Sequence, residues 1–242
     1  MEFQKKVALV TGAGTRLGQQ ISIYLASIGM RVAIHYNQSE KGAQSTLSQI
    51  SKTEKHALFS ANLCDLNQIQ QLVNNVTNTL GTVSVLINSA AAFYPTPVSL
   101  VTEEQWDHLF QLNLKAPFFL SQQIGEQMKS QGEGKIINMA DVSAYRPWAN
   151  FLPYCITKSG LITLTQGLAK AFAPQVHVNA IAPGTVLPPL PETELNQQKS
   201  IDESLLKRMG SADDIVDAVD YLLHGDFLTG IVLPVDGGRS VY

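Results

Sequence analysis

Tyr154 and Lys158 stand four residues apart in Tyr154-Cys155-Ile156-Thr157-Lys158. On a helix, residues i and i+4 share one face. That face presents a phenol beside an ammonium. The ammonium's field favours phenolate, so a phenol that ordinarily titrates near ~10 is expected to move toward neutrality and exchange protons. Asp141 lies upstream, and Thr11-Gly12-Ala13-Gly14-Thr15-Arg16-Leu17-Gly18 forms a glycine-rich turn near the N-terminus. Together these residues could handle a proton beside a bound phosphate-bearing ligand.

The elements that must position them follow a regular alternation. Val7–Val10, Arg31–Tyr36, Lys55–Ser60, Val83–Asn88, Lys135–Met139, Val176–Ala182 and Ile231–Val235 read as strands. Leu17–Ile28, Ser39–Ser51 and Leu66–Leu80 read as helices between them. Near-continuous apolar strands alternating with helices predict a parallel sheet covered on both faces. The expected fold is α/β, a doubly wound Rossmann-type sheet flanked by helices, with residues 1–242 forming one domain. No repeat or linker divides it.

One stretch, residues 183–210, stands apart. It carries Pro183, Pro188, Pro189 and Pro191, then a polar run. Its place after a strand's C-terminal end suggests a substrate-binding lid, because ligands bind outside those ends in open α/β sheets. Ser211-Ala212-Asp213-Asp214 then reads as a helix N-cap.

Composition excludes several classes. A net charge of −3 leaves no basic field for nucleic acid. No apolar run is long enough to span a bilayer. Met1 to Lys6 lead into a strand pattern rather than a signal-peptide core. The two cysteines, Cys64 and Cys155, are too few for a disulfide scaffold and lack ligand spacing. The five histidines pair with no acid or second histidine at ligand spacing, so no metal site is expected. The plain reading is a reduced cytoplasmic protein.

The glycine turn follows the first strand and opens the first helix. Gly12 permits the tight turn, Gly18 permits close helix–strand packing, and the helix N-terminus faces a diphosphate. Arg16 occupies a position where a third glycine often sits. The second strand ends His35-Tyr36-Asn37-Gln38-Ser39, with no acid before Glu40. NAD binders usually carry an acid here for the ribose 2′-hydroxyl; its absence leaves room for a 2′-phosphate. With cationic Arg16 and Ser39 at a helix start, this favours NADP(H).

Asp141 and Phe93 bear on the substrate. A ketone reductase wants a hydroxyl donor beside the phenol for the growing alkoxide. An ionised aspartate is acceptor-only and suits ring N–H groups, or a C=N bond that gains a proton. The bland alternative is a helix cap. Phe93 offers an apolar plate for a planar heterocycle, worth on the order of 1 kcal/mol beyond burial, or else a core side chain. Pro95 and Pro97 argue against a core strand there. Trp148 and Phe151 either line the same pocket or simply pack.

With the glycine turn, Asn88-Ser89-Ala90-Ala91, Asn113, Tyr154/Lys158, Pro183-Gly184 and Val235-Asp236-Gly237-Gly238 in that order, the chain resembles the short-chain dehydrogenases/reductases. Arg16-Leu17-Gly18, Phe93-Tyr94-Pro95-Thr96-Pro97 and Asn138-Met139-Ala140-Asp141 are similar to the pteridine reductases within that family. Gln38 stands where those enzymes often carry a basic residue, and Ser89 and Ala91 depart from their pattern.

The resemblance implies a catalytic set of Tyr154, Lys158, Asn113 and Asp141, with Asn113 supporting a water relay. It implies that Asn62 and Leu63 lie near adenine, Asn88 and Ala90 beside the cofactor ribose, and Pro183 and Gly184 near the nicotinamide. Gly12, Arg16, Leu17, Gly18, His35, Tyr36, Asn37 and Ser39 complete the expected cofactor site. Arg16, Phe93, Asp141, Trp148, Phe151 and Tyr154 form the expected substrate site. A homotetramer is implied too. The leading expectation is NADPH-dependent reduction of a dihydropterin or dihydrofolate, with hydride passing to a ring C=N and Tyr154 and Asp141 giving the proton. The alternatives are a carbonyl reductase of the 3-oxoacyl thioester type and a non-catalytic NADP(H)-binding sensor.

Overall fold

The computed structural model describes residues 2–50, 53–187 and 193–241. Seven strands form one parallel sheet: β1 (Val7–Val10), β2 (Arg31–Tyr36), β3 (Ala57–Ser60), β4 (Val83–Asn88), β5 (Gly134–Met139), β6 (Val176–Pro183) and β7 (Val232–Val235). Their spatial order is β3-β2-β1-β4-β5-β6-β7. The chain builds outward from β1 to β3, then returns to β4 on the other side of β1. Val10 thereby pairs with Ile34 on one side and Ile87 on the other. The crevice at the carboxyl ends of β1 and β4 is the switch point at which such sheets bind ligands.

Helices α1 (Arg16–Ser27), α2 (Glu40–Gln49), α3 (Leu66–Leu80), α4 (Glu103–Phe110), α5 (Ala116–Gln131), α6 (Leu152–Phe172), α7 (Glu194–Asp202) and α8 (Ala212–His224) complete the described chain. The sheet separates two cores. On one face Ile21 and Leu25 of α1 and Ile215, Val219 and Leu222 of α8 pack on Val10, Ile34, Ile87 and Ile181. On the other, α3, α5 and α6 bring Ile69, Val76, Leu120, Ile124 and Phe172 onto Leu9, Leu86, Ile136 and Val178. Strand residues alternate between these faces, so strands buried on both sides read as near-continuous apolar runs.

Helix starts carry legible caps. Asp65 accepts from the Asn67 N–H at 2.8 Å to open α3. Ser211 and Asp214 form a reciprocal capping box at α8, as expected from the sequence. The α7 helix lies in the polar run of the segment expected as a substrate-binding lid; Pro188, Pro189 and Pro191 fall outside the described residues. Between α4 and α5, Gln111–Lys115 form a π-helical turn.

Candidate active site

Tyr154 and Lys158 lie on the first turns of α6, where both side chains are nearly buried, at 6% and 4% exposure. Asp141 follows β5 and opens the 3₁₀ turn Val142–Ala144. One of its oxygens, Oδ1, accepts from the Ser143 N–H at 2.7 Å. The other, Oδ2, accepts the Tyr154 hydroxyl at 2.9 Å. Asp141 is therefore both the cap and the partner of the phenol, and the two readings do not compete.

The electrostatics correct one expectation. Burial first, then the charge of Asp141 and its hydrogen bond, push the Tyr154 phenol well above its ordinary value of 10.0. The nearby lysine does not offset that rise. The ammonium of Lys158 donates to the Met139 carbonyl at 2.6 Å and stays 5.6 Å from the phenol ring centre. The nearest charge to the hydroxyl is thus an anion, which favours the neutral phenol. Burial also lowers Lys158 to about 8, against the opposing pull of Asp141. As built, the site stores a proton on Tyr154.

Asn113 sits in the π turn and is buried. Its Oδ1 accepts from the Ala92 N–H at 2.8 Å, and its Nδ2 donates to the Ala92 carbonyl at 2.9 Å. Its amide is committed to holding residue 92, and through it Phe93, against α6. Any part in a water relay falls to its main chain.

Phe93 is 55% exposed, so it is no core side chain. It stacks on Phe151 with ring centres 4.6 Å apart and meets Tyr154 edge-on at 4.8 Å. Trp148 meets both Phe93 and Phe151 edge-on. The four aromatic residues expected at the substrate site thus form one wall.

On the cofactor side the glycine turn is held from below. Gly12 has φ of +65°, and a Cβ there would lie 2.9 Å from the Ala90 Cα. Gly18 packs directly on the Gly12 carbonyl. The hydroxyl of Thr11 accepts from the Ser89 and Ala90 N–H groups at 2.9 and 3.0 Å. Thr11, which sequence reasoning quoted without a role, ties β1 to the Asn88-Ser89-Ala90 turn.

Several expected contacts are corrected. His35 is buried beneath the turn: its Nδ1 accepts from the Gly12 N–H at 3.2 Å, and its Nε2 lies 3.0 Å from the Ala61 carbonyl, which fixes the donor on Nε2. Burial lowers it to about 4, so it is a neutral strut and not a ligand contact. The Asn88 amide points into the core, donating to Ser121 and to Asn138 at 3.0 and 2.8 Å. Leu63 is buried in the α3-side core. Both side chains are buried, and the Asn88 Oδ1 has no hydrogen-bond partner among the described residues.

The others lie around the crevice, with Pro183 buried and the rest exposed or half-buried. Arg16 is exposed, has φ of +51°, and makes no hydrogen bond or ion pair among the described residues. Leu17 is half-buried behind it. Tyr36, Asn37 and Ser39 edge the crevice between β2 and α2, and Ser39 makes no cap hydrogen bond. Asn62 accepts the Cys64 N–H at 3.0 Å and so shapes the turn after β3. Pro183 ends β6, and Gly184 donates its N–H to the Val235 carbonyl at 2.9 Å. Gly184 has no room for a Cβ, which would lie 2.7 Å from the Asp236 Cα.

Residues 6–200 match the family model described as short chain dehydrogenase. The chain belongs to that family, and it is an oxidoreductase by that membership. Among curated short-chain dehydrogenase relatives, the 3-oxoacyl-[acyl-carrier-protein] reductase FabG of Staphylococcus aureus is 31% identical over 240 residues, 96% of this chain and 97% of that protein. Among solved structures, the FolM alternative dihydrofolate reductase 1 of Brucella canis, complexed with NADP, aligns with a TM-score of 0.93. It is 27% identical and covers 100% of this chain and 96% of its own. Its counterpart from Brucella suis, also in complex with NADP, gives 0.91 at 28% identity, with 98% and 96% covered. The short-chain dehydrogenase fold is thus common ground, while the two groups of relatives carry different substrates in their names.

Proposed function

We propose that this chain is an NADPH-dependent reductase of pteridines, converting a dihydropterin or dihydrofolate to the tetrahydro form. The observation that carries the reading is the Tyr154–Asp141 hydrogen bond, at 2.9 Å, beside the exposed face of Phe93. Asp141 occupies the position at which a carbonyl reductase needs a donor, and a carboxylate only accepts.

The chain fits a dinucleotide. Gly12 and Gly14 have no space for a Cβ, the Arg16 guanidinium is unpartnered among the described residues, and no acid stands between 35 and 39. Arg16 and Ser39, at the start of α2, suit a 2′-phosphate, while the α1 N-terminus suits a diphosphate. When bound, NADPH supplies the hydride. Lys158 and the main chain of residues 88–90 and 183–184 would hold its ribose and ring. Tyr154 gives its proton to the ring nitrogen of the substrate. Asp141 keeps the phenol protonated and aimed, and accepts from substrate N–H groups. Phe93 and Phe151 supply a flat face that selects a planar heterocycle.

Similarity to the NADP-bound dihydrofolate reductases supports this reading; similarity to the acyl-carrier-protein reductases favours a carbonyl substrate instead. Initial rates with NADPH and NADH, a panel of dihydropterins and dihydrofolate, and an acetoacetyl thioester decide between them. NADPH oxidation with the thioester alone would end the pteridine proposal. Asp141→Ser is expected to lower kcat/KM for the dihydropterin about a hundredfold and to leave or raise carbonyl reduction. Equal effects on both substrates would remove the role given to the carboxylate.

The homotetramer belongs to the same proposal. An open apolar cavity of about 580 Å³ between α4, α5 and α6, lined by Phe110, Leu114, Phe118, Phe119 and Leu164, supports it. Sedimentation velocity tests it.

A further inference from the structure

Arg239 belongs to none of the motifs above, yet it meets three separate segments. It is launched from a rigid base. The Asp236 carboxylate accepts from the Gly238 and Ser240 N–H groups at 2.9 and 2.7 Å, and the Arg239 N–H returns to the Asp236 carbonyl at 3.2 Å. Gly237 and Gly238 take φ of +62° and +83°, which closes the turn after β7. Asp236 itself rests on Gly184.

From that base the guanidinium donates to the Thr185 hydroxyl at 2.6 Å. It pairs with Glu203, just past α7. It also lies over the Trp148 ring, 5.3 Å from the centroid. The segment bearing Glu203 is docked on the same turn: the Gly237 carbonyl accepts from the Leu205 N–H at 2.9 Å and the Ser204 hydroxyl at 3.2 Å. Only a planar, delocalised cation can cover an indole while donating in its own plane to a hydroxyl and a carboxylate.

Trp148 needs such a partner. It lies in the loop between two short 3₁₀ turns and meets Phe93 and Phe151 only edge-on, at 6.2 and 6.0 Å. Its backbone N–H donates to the Cys155 Sγ, but the ring's direction is left to its neighbours.

We propose that Arg239 is a specificity-determining positioning residue: by clamping Trp148 to Thr185 and Glu203, it fixes the aromatic wall that selects the substrate ring. The proposal rests on reading that wall as the substrate site. Arg239 touches the wall and not the Tyr154–Asp141 pair, so its loss weakens substrate binding and spares proton transfer. Its side-chain partners, Thr185, Glu203 and Trp148, lie outside the glycine turn, so NADPH affinity is expected to move far less than KM.

The chain has two tryptophans, Trp106 and Trp148. A Trp106→Phe background leaves Trp148 as the only indole reporter. In that background Arg239→Met is expected to raise acrylamide quenching of Trp148 about twofold. It should also raise KM for the dihydropterin about tenfold with kcat within about threefold. Kd for NADPH should stay within about twofold. Arg239→Lys keeps the charge but not the fork, and should recover only part of the KM. Glu203→Gln should fall between Arg239→Met and the parent. Quenching and KM both within twofold of the parent for Arg239→Met would overturn the proposal. A matched loss of kcat, KM and NADPH binding would overturn it too, as general damage. Should Arg239→Met fail to fold by circular dichroism, Arg239→Lys and Glu203→Gln carry the same readouts. If the parent reduces only the thioester, the pteridine reading fails on its own, and KM for the thioester and the quenching arm still decide the clamp.

Discussion

The two sides of the crevice are built differently. The glycine turn is secured by main chain and by buried polar side chains: Thr11 on Ser89 and Ala90, His35 between Gly12 and Ala61. The aromatic wall, apart from buried Tyr154, is secured by side chains that remain partly in solvent, with Phe93 55% exposed. The first side recognises what every dinucleotide shares and tolerates little change. In the proposed function the second selects a particular ring, and Phe93, Trp148 and Phe151 stand clear of the sheet. A family can keep one while varying the other, which is why relatives with different substrate names align over nearly the whole chain.

The largest expected effect breaks the rigid side. Gly12→Val places a branched Cβ against the Ala90 backbone at a φ of +65°. It should cost about 4 kcal/mol and lower Tm by roughly 10 °C. NADPH titration should show no saturable binding. A melt within 2 °C of the parent, taken as about 1 kcal/mol or less, would mean the turn is slacker than described.

Next comes acid. His35 titrates near 4 when folded, against an ordinary value of 6.5. Because the folded value is the lower one, the unfolded chain takes up the proton first. Its contribution is complete above pH ~6.5 and is lost as pH falls toward ~4, by about 3 kcal/mol. Urea melts across that range should show the loss, and His35→Gln should flatten it. The half-buried His177, lowered mainly by burial and then by Lys135, acts in the same direction and leaves a residual slope.

A smaller effect tests the exposed side. Phe93→Ala should raise KM for a dihydropterin about tenfold and leave stability within ~1 kcal/mol, because the ring is already half in water. A large drop in Tm would make Phe93 a structural residue and erase the contrast. The smallest effect probes the seam between the sides. The Ser143 hydroxyl is buried with no hydrogen-bond partner among the described residues. Ser143→Ala should leave stability unchanged or raise it by up to ~1 kcal/mol. A loss beyond that would reveal a bond the hydroxyl makes to bound solvent or ligand.

Much of the sheet was legible because β1, β4 and β5 are buried along their whole length, so apolar residues dominate them: Val7–Val10 without a break, and Val85–Ile87 and Ile136–Ile137 at the centres of the other two. The cap of α8 was legible because it is local. The α7 helix was not, since Glu194–Asp202 is polar with no apolar stripe to mark it. In the site, the i, i+4 spacing brought Tyr154 and Lys158 together correctly, but it could not give the sign of the shift. That depends on Asp141 reaching the hydroxyl across the β5–α6 gap and on Lys158 turning to Met139. His35 reads as a cofactor-site residue; its place under Gly12 needs the pairing of β1 with β2, and its bond to Ala61 that of β2 with β3. Arg239 carries no local signal, because its partners lie at 148, 185 and 203.

The π turn at Gln111–Lys115 has a consequence for insertions and deletions. It holds one residue more than the α-helical path between α4 and α5 requires. Deleting one residue there would heal the two helices into a single rod and swing α4 by about 100° relative to α5. Asn113 would leave Ala92, and the stretch leading to Phe93 would lose its anchor. A lone surplus residue, nearly invisible in sequence, thus works as a spacer that sets the angular phase between a catalytic floor and the helix covering it.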